Sequence, residues 1–182
     1  MPLTSKKTVG VGAALCLALA VLTGCTVGES GVRNVGVEVV EKTDTFTGRT
    51  FTSDHLTITL TEQKVLEPGA KGNEDGELPV LAIWYEVTNT STHQTDALTS
   101  WFTHFQVHQN LSADPNEPKL SALSMAMSPD PDLTTHETEL IEEGATQKNV
   151  IAYQLLNPEA PVEIAVTDTR LKALGSLRID VG

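Results

Sequence analysis

A cysteine at the end of an apolar N-terminal segment is the residue with the clearest chemistry in this sequence. The residues Leu22-Thr23-Gly24-Cys25 place a branched apolar side chain three positions before a cysteine, with small residues between them. This pattern is typical of the lipobox, where a bacterial signal peptidase cleaves a precursor whose cysteine sulfur already carries diacylglycerol. It predicts that Cys25 becomes the first residue of an exported chain, held by lipid on the outer face of the cell membrane.

The segment before this cysteine has the order of a secretory signal. Lys6 and Lys7 precede an apolar run at residues 9–22, as in the charged and apolar regions of signal peptides. A helix of that length reaches roughly 21 Å, against about 30 Å for the hydrocarbon core of a membrane. A spanning helix and secretion without lipid are the alternatives, but residues 21–24 do not have the small side chains that an ordinary cleavage site needs.

Cleavage before Cys25 divides the chain into three predicted parts. They are a signal peptide at residues 1–24, a lipidated cysteine and flexible tether at 25–49, and a folded domain at 50–182. The other cysteine, Cys16, is removed with the signal. The exported domain then has no thiol for a disulfide, and none for a nucleophilic cysteine or a thiolate zinc site.

The charge of the chain restricts its partners. The 182 residues carry a formal net charge of −12, which becomes −14 when Lys6 and Lys7 are removed with the signal. Nucleic acids bind basic surfaces, because their phosphates must be neutralised. The acidic balance therefore argues against a nucleic-acid partner. Acidic residues at 73–77 and 130–132 do not have the twelve-residue spacing of a calcium loop.

Three histidines, His93, His104 and His108, fall within a short stretch that could suggest a metal site. The alternation of residues 101–109 predicts a strand, in which His104 and His108 lie about 13 Å apart. Zinc ligands lie about 2 Å from the metal, so these two histidines cannot chelate one ion together. His93 or His55 could still join one of them from a loop.

No motif in the sequence predicts a reaction. There is neither a Gly-x-Ser-x-Gly elbow nor a Ser-x-x-Lys pair. The stretch that begins with His136-Glu137 lacks the second histidine of a zinc-protease helix. We therefore predict no catalytic residue, no metal and no cofactor.

Two tryptophans and two histidines form the candidate ligand face that the sequence predicts: Trp84, Trp101, His104 and His108. Exposed aromatic side chains on a sheet can stack on glycans or on partner strands. In the alternative interpretation, both tryptophans are core residues and the histidines are ordinary surface or hydrogen-bonded side chains.

Short strands must position these residues. Period-2 alternation, which marks a strand with one buried face, begins at residues 55–61 and recurs at 101–109. Residues 80–88 start apolar on both sides, which predicts a central strand covered on both faces. Further strands are predicted at 148–156, 162–167 and 177–181, and irregular segments at 68–79 and 110–132. Seven or eight short strands without a long helical pattern predict an all-β antiparallel sandwich.

Two of these strands carry patterns that resemble a known family. Residues 78–91, LPVLAIWYEVTNTS, end a strand in an Asn-x-Ser turn, and Glu143-Gly144-Ala145-Thr146 leads into a later strand. These patterns are similar to an uncharacterised domain of small Gram-positive surface lipoproteins, over roughly residues 50–181. The resemblance implies an immunoglobulin-like β-sandwich at the cell surface, and it implies no catalytic residues.

These observations predict a lipid-anchored, extracellular binding module without catalysis, whose partner is a surface protein or a glycan. Two alternatives remain. A carrier of a small ligand or metal ion would have a concave polar pocket with convergent histidines. A cell-envelope hydrolase would have a carboxylate pair, or a serine in contact with a histidine within a cleft.

Overall fold

The computed structural model describes residues 43–112 and 119–182, which form nine strands and two short helices. The strands are β1 (Thr45–Thr47), β2 (Thr50–Thr52), β3 (Leu56–Leu66), β4 (Val80–Asn89), β5 (Phe105–Asn110), β6 (Leu120–Ala122), β7 (Thr146–Gln154), β8 (Val162–Thr167) and β9 (Ala173–Ile179). The helices are α1 (Ala97–His104) and α2 (Pro131–Thr134).

The strands form two antiparallel sheets. The first has the order β1-β2-β3-β4-β7, and the second has the order β6-β5-β8-β9. One hydrophobic core contains buried side chains of both sheets, such as Phe51 and Ile83 from the first and Val107 and Ile164 from the second. The predicted antiparallel sandwich is confirmed, with nine strands in the described residues instead of seven or eight.

The central strand of the first sheet is covered on both faces, as its apolar start predicts. Leu81, Ile83, Tyr85 and Val87 enter the main core. Val80 and Ala82 point the other way and join Leu66 and Val150 in a second cluster, against which Ala126 and Leu133 pack. The segment that carries α2 therefore shields the outer face at this end of β4.

The predicted strand at residues 101–109 is wrong for its first four residues, which belong to α1. Asp96 caps this helix, because its carboxylate accepts the backbone N–H of Thr99 at 2.7 Å. The buried residues of the helix, Ala97, Ser100, Trp101 and His104, have the spacing of one helical face. Strand geometry begins only at Phe105.

The predicted irregular segment at 110–132 contains regular structure in its described part. Strand β6 pairs with β5 in the second sheet, and Met125 then forms a bridge with Tyr153 of the first sheet. The chain thus passes from one sheet to the other along one side of the sandwich, where it pairs with the edge strand β7.

The described fold begins before residue 50. Strand β1 pairs with β2, and Phe46 packs edge-on against Phe105 with ring centroids 6.4 Å apart. The first sheet therefore extends into the predicted tether at 25–49. The predicted signal peptide and Leu22, Thr23, Gly24 and Cys25 lie outside the described residues. In the part of the chain that the structure describes, no helix has the length and hydropathy to cross a membrane.

Candidate functional site

The four residues of the predicted ligand face do not form one surface. Trp101 is fully buried and His104 is 4% exposed, so neither can meet a partner. Trp84 lies on the outer face of the first sheet, next to the second cluster. His108 lies on the second sheet, where its neighbours Val107 and Gln109 are buried and point inward. The predicted face is therefore corrected: two members are in the interior and two belong to different sheets.

Trp101 is a core residue with a polar anchor. Its ring stacks on Phe105 with centroids 4.6 Å apart, and it contacts the ring of Tyr85 in a tilted arrangement with centroids 4.7 Å apart. Its indole N–H donates to the hydroxyl of Tyr153 at 2.7 Å. Burial raises the pKa of Tyr153 to about 12, so this hydroxyl stays protonated at neutral pH. The N–H of a buried tryptophan usually has such a hydrogen-bond partner. Here the partner is the hydroxyl of Tyr153 on β7.

His104 is buried at the end of α1, where it contacts other residues of the fold. Its ring stacks on Phe51 with centroids 4.1 Å apart, and Nδ1 lies 3.0 Å from the carbonyl oxygen of Thr167. A carbonyl can only accept, so Nδ1 carries the proton. Burial lowers the pKa of His104, which keeps the imidazole neutral at pH 7. The residue is therefore unsuited to binding an exposed ligand.

Threonines cover the outer face of the first sheet, in a region we call the threonine face. Strand pairing aligns one threonine from each of its five strands in a row: Thr45, Thr52, Thr57, Thr88 and Thr146. A second, parallel row contains Thr47, Thr50 and Thr59, followed by Glu86 and Lys148. Adjacent strands are about 4.8 Å apart, so the five-residue row spans roughly 19 Å.

The threonine face is accessible and electrically balanced. All eight threonines are exposed or partly exposed, because the alternate residues of these strands, such as Phe51 and Ile58, point into the core. Hydroxyl groups pair across strands, at 2.7 Å for Thr88 and Thr146. Lys148 Nζ lies 3.6 Å from a Glu86 carboxylate oxygen. The face presents rows of methyl and hydroxyl groups, with Trp84 two residues beyond Glu86 on the same side of β4.

A polar pocket of about 300 Å³ lies at the end of the sandwich. Its lining includes Asn89, Ser91, His93, Glu142 and Glu143. Asn89 is 2% exposed, and its side-chain amide donates to the carbonyl oxygens of His93 at 3.0 Å and of Ile141 at 2.8 Å. Its amide oxygen accepts the backbone N–H of Ser91 at 3.0 Å. One buried asparagine therefore holds together the segments that shape the pocket.

The pocket contains a serine–histidine contact with the geometry of a local turn. Ser91 Oγ lies 3.4 Å from Nδ1 of His93, beyond the 2.6–3.2 Å expected between a nucleophile and its base. The same oxygen accepts the backbone N–H of His93 at 3.1 Å, and the hydroxyl donates to the side-chain oxygen of Asn89 at 3.5 Å. These contacts are those of a local turn, in which the hydroxyl positions the backbone.

The remaining histidines are distributed over the surface. His55 and His93 lie side by side, with ring centroids 4.1 Å apart. His93 therefore meets His55, and not the buried His104 that the sequence allowed as its partner. Among the described residues, no three His, Cys, Asp or Glu side chains are grouped closely enough to hold a metal ion.

The two sequence patterns behind the family resemblance meet at this pocket. The backbone N–H of Asn89 donates to the carbonyl of Ala145 at 3.1 Å, and the N–H of Gly144 donates to the carbonyl of Asn89 at 2.8 Å. Gly144 has a φ of +78°, which glycine adopts without the strain that a side chain would bring. A family model described as "Domain of unknown function (DUF5067)" matches residues 38–168.

The chain belongs to the DUF5067 family.

Solved structures share the fold of this DUF5067 protein. A "putative lipoprotein" from Staphylococcus aureus subsp. aureus NCTC 8325 has a TM-score of 0.64 at 15% identity, with 77% of this chain and 93% of that chain covered. A protein from Enterococcus faecalis has a TM-score of 0.57 at 20% identity, with 76% and 94% covered. At these identities the likeness concerns the fold. No curated protein matches this chain significantly.

The DUF5067 match includes every threonine of the threonine face and every residue that lines the pocket. Neither feature was predicted from the sequence. The alternation of residues 55–61 predicts one strand with one buried face, but the alignment of its threonines with those of β1, β2, β4 and β7 depends on strand register. The turn residues Asn89 and Ser91 are the sequence signal that marks the pocket.

Proposed function

We propose that this DUF5067 protein is a lipid-anchored binding module on the outer face of the cell membrane, and that it acts without catalysis. The lipobox pattern at Leu22–Cys25, behind two lysines and an apolar run, supports the anchor. The fold is shared with a structure named "putative lipoprotein", which is consistent with this location. The threonine face is the observation that supports binding.

The partner that this face suits is an uncharged, hydroxyl-rich polymer, which at this location is a glycan of the cell wall. Threonine hydroxyls can both donate and accept hydrogen bonds, and their methyl groups match the apolar patches of sugar rings. The half-buried ring of Trp84, on the same face, adds a stacking surface. The face has little net charge, whereas the chain as a whole carries −12 and repels anionic polymers.

Removing two central hydroxyls should weaken glycan binding about tenfold. The double variant Thr52→Val and Thr57→Val keeps the β-branched shape and the strand propensity while it deletes two neighbouring hydrogen-bonding groups of the five-residue row. Hydrogen bonds contribute about 0.5–1.5 kcal/mol each, and 1.4 kcal/mol corresponds to a factor of ten. The measurement is co-sedimentation of the full-length chain with purified cell-wall glycan freed of teichoic acid.

The matched control is Gln106→Ala, which alters an exposed side chain on the outer face of the second sheet and should leave binding unchanged. Equal affinity of the double variant and the wild type would remove the threonine face from the proposal. Binding to teichoic acid or to a surface protein, and not to the glycan, would replace the proposed partner.

The anchor is tested separately by metabolic labelling with a fatty-acid analogue. We expect label on the wild-type chain and none on Cys25→Ala, because the sulfur of Cys25 is the proposed attachment atom. Cys16→Ala is the matched control and should keep the label, since Cys16 lies in the segment that cleavage removes. Undiminished label on Cys25→Ala, or an unlabelled wild type, would contradict lipid anchoring.

A further inference from the structure

Two histidines from different loops meet at the end of the sandwich that carries the pocket. His55 lies between β2 and β3, and His93 lies between β4 and α1. Their ring centroids are 4.1 Å apart, and both residues are exposed. Two nitrogens that bind one zinc ion at about 2.0–2.1 Å each are at most about 4.2 Å apart. That limit applies to the nitrogens, and ring centroids lie farther from the ion than the nitrogens do. The two rings, which are in contact and tilted by 44°, must therefore rotate apart slightly to admit one ion.

The backbone fixes the positions of both residues. The carbonyl of His55 accepts the N–H of Thr90 at 2.9 Å, which joins the two loops directly. The carbonyl of His93 accepts from the buried amide of Asn89 at 3.0 Å, and its N–H donates to Ser91 Oγ at 3.1 Å. Only side-chain rotation is then needed to aim the rings, so little conformational entropy is lost when they bind a ligand.

Each imidazole has one nitrogen near a polar partner. Nε2 of His55 lies 3.6 Å from a carboxylate oxygen of Asp54, and Nδ1 of His93 lies 3.4 Å from Ser91 Oγ. Metal-bound histidines commonly hydrogen-bond a carboxylate or hydroxyl through the second nitrogen. The two contacts here are longer than ordinary hydrogen bonds, but they place such a group beside each ring. In the described residues, these contacts leave Nδ1 of His55 and Nε2 of His93 outside the hydrogen bonds and ion pairs of the two rings.

We propose that His55 and His93 form a binding site for a divalent transition-metal cation, with water completing the coordination. Imidazole nitrogen suits Cu²⁺, Ni²⁺ and Zn²⁺, whereas Ca²⁺ and Mg²⁺ prefer oxygen ligands. Affinity follows the usual order for nitrogen sites, with Cu²⁺ bound more tightly than Ni²⁺ or Zn²⁺. The net negative charge of the chain favours the approach of a cation. This site uses none of the residues that define the threonine face.

The test is calorimetric titration of the full-length chain, purified in detergent, with CuCl2, NiCl2, ZnCl2, CaCl2 and MgCl2. We expect one equivalent of each transition metal to bind and no signal from Ca²⁺ or Mg²⁺. His55→Gln and His93→Gln should each weaken Cu²⁺ binding at least tenfold, because one imidazole alone cannot chelate. Electron paramagnetic resonance of the Cu²⁺ complex should show coupling to two imidazole nitrogens.

The matched control is His136→Gln, which removes an exposed histidine whose Nδ1 lies 2.7 Å from Glu139 and which should leave binding unchanged. Thermal melts without metal confirm that each variant is folded. Failure of the wild type to bind Cu²⁺ and Zn²⁺ would overturn the proposal. Affinity that survives both His55→Gln and His93→Gln, or that falls equally in His136→Gln, would also overturn it.

Discussion

Replacing Trp101 with alanine should lower the free energy of unfolding by about 3–5 kcal/mol, the range for large-to-small changes of buried aromatic residues. The ring is fully buried and contacts Tyr85 and Phe105. Its removal leaves a cavity between the sheets and takes the indole donor away from the hydroxyl of Tyr153. Urea denaturation followed by far-ultraviolet circular dichroism measures the loss.

Two further variants divide this effect into its parts. Trp101→Phe retains most of the packing but not the N–H donor, so it should cost clearly less than alanine. Trp84→Ala removes a ring that is only partly buried, and it should destabilise the fold less than Trp101→Ala does. A Trp101→Ala variant with wild-type stability would contradict the core assignment and would return this residue to a ligand face.

Strands β3 and β4 were predictable because their sequence patterns directly reflect burial. Residues 55–60 alternate in sequence and in the structure, where Leu56, Ile58 and Leu60 are buried. The apolar start of β4 also predicted its two covered faces, because residues that point both ways must each find a packing partner. These are local patterns, and no knowledge of the neighbouring strands was needed to read them.

The helix α1 was missed because it is short and leads directly into a strand with clear alternation. Phe105, Gln106, Val107 and His108 alternate as a strand does, and the prediction extended that strand back to Trp101. Ala97, Trp101 and His104 instead recur at helical spacing. Because Ala97 is small and Ser100 is polar, a prediction based on large apolar residues does not detect the buried face of this helix. The capping Asp96 was the available signal for a helix start.

The surface sites could not be predicted because they depend on pairs of distant segments. Thr45 and Thr146 belong to one row only because five strands pair in a particular register. A shift of one residue in any strand would turn its threonines inward. His55 and His93 likewise belong to two different loops, which a hydrogen bond from Thr90 joins. Only the tertiary structure brings these residues together.

Asn89→Ala should lower the free energy of unfolding by about 2–4 kcal/mol, although the substitution removes few atoms. Asn89 is 2% exposed, and its amide is the side-chain donor to the buried carbonyl of Ile141 at 2.8 Å. Loss of the side chain also leaves the N–H of Ser91 without its acceptor. Buried polar groups without partners cost about 1–3 kcal/mol each. Chemical denaturation of the full-length chain in detergent measures the difference.

Asn89→Asp and Thr90→Ala complete this test. The aspartate keeps an acceptor for Ser91 but points carboxylate oxygen at two carbonyl oxygens, so it should destabilise the fold at least as much as alanine. Thr90 is exposed, and its hydroxyl makes one long contact of 3.5 Å, so Thr90→Ala should change the free energy of unfolding by no more than about 0.5 kcal/mol.

Because Asn89 also holds the backbone of His93, both Asn89 variants should bind Cu²⁺ more weakly while still folded. Wild-type stability in Asn89→Ala would mean that water replaces its hydrogen bonds, and the pocket would then not depend on this residue.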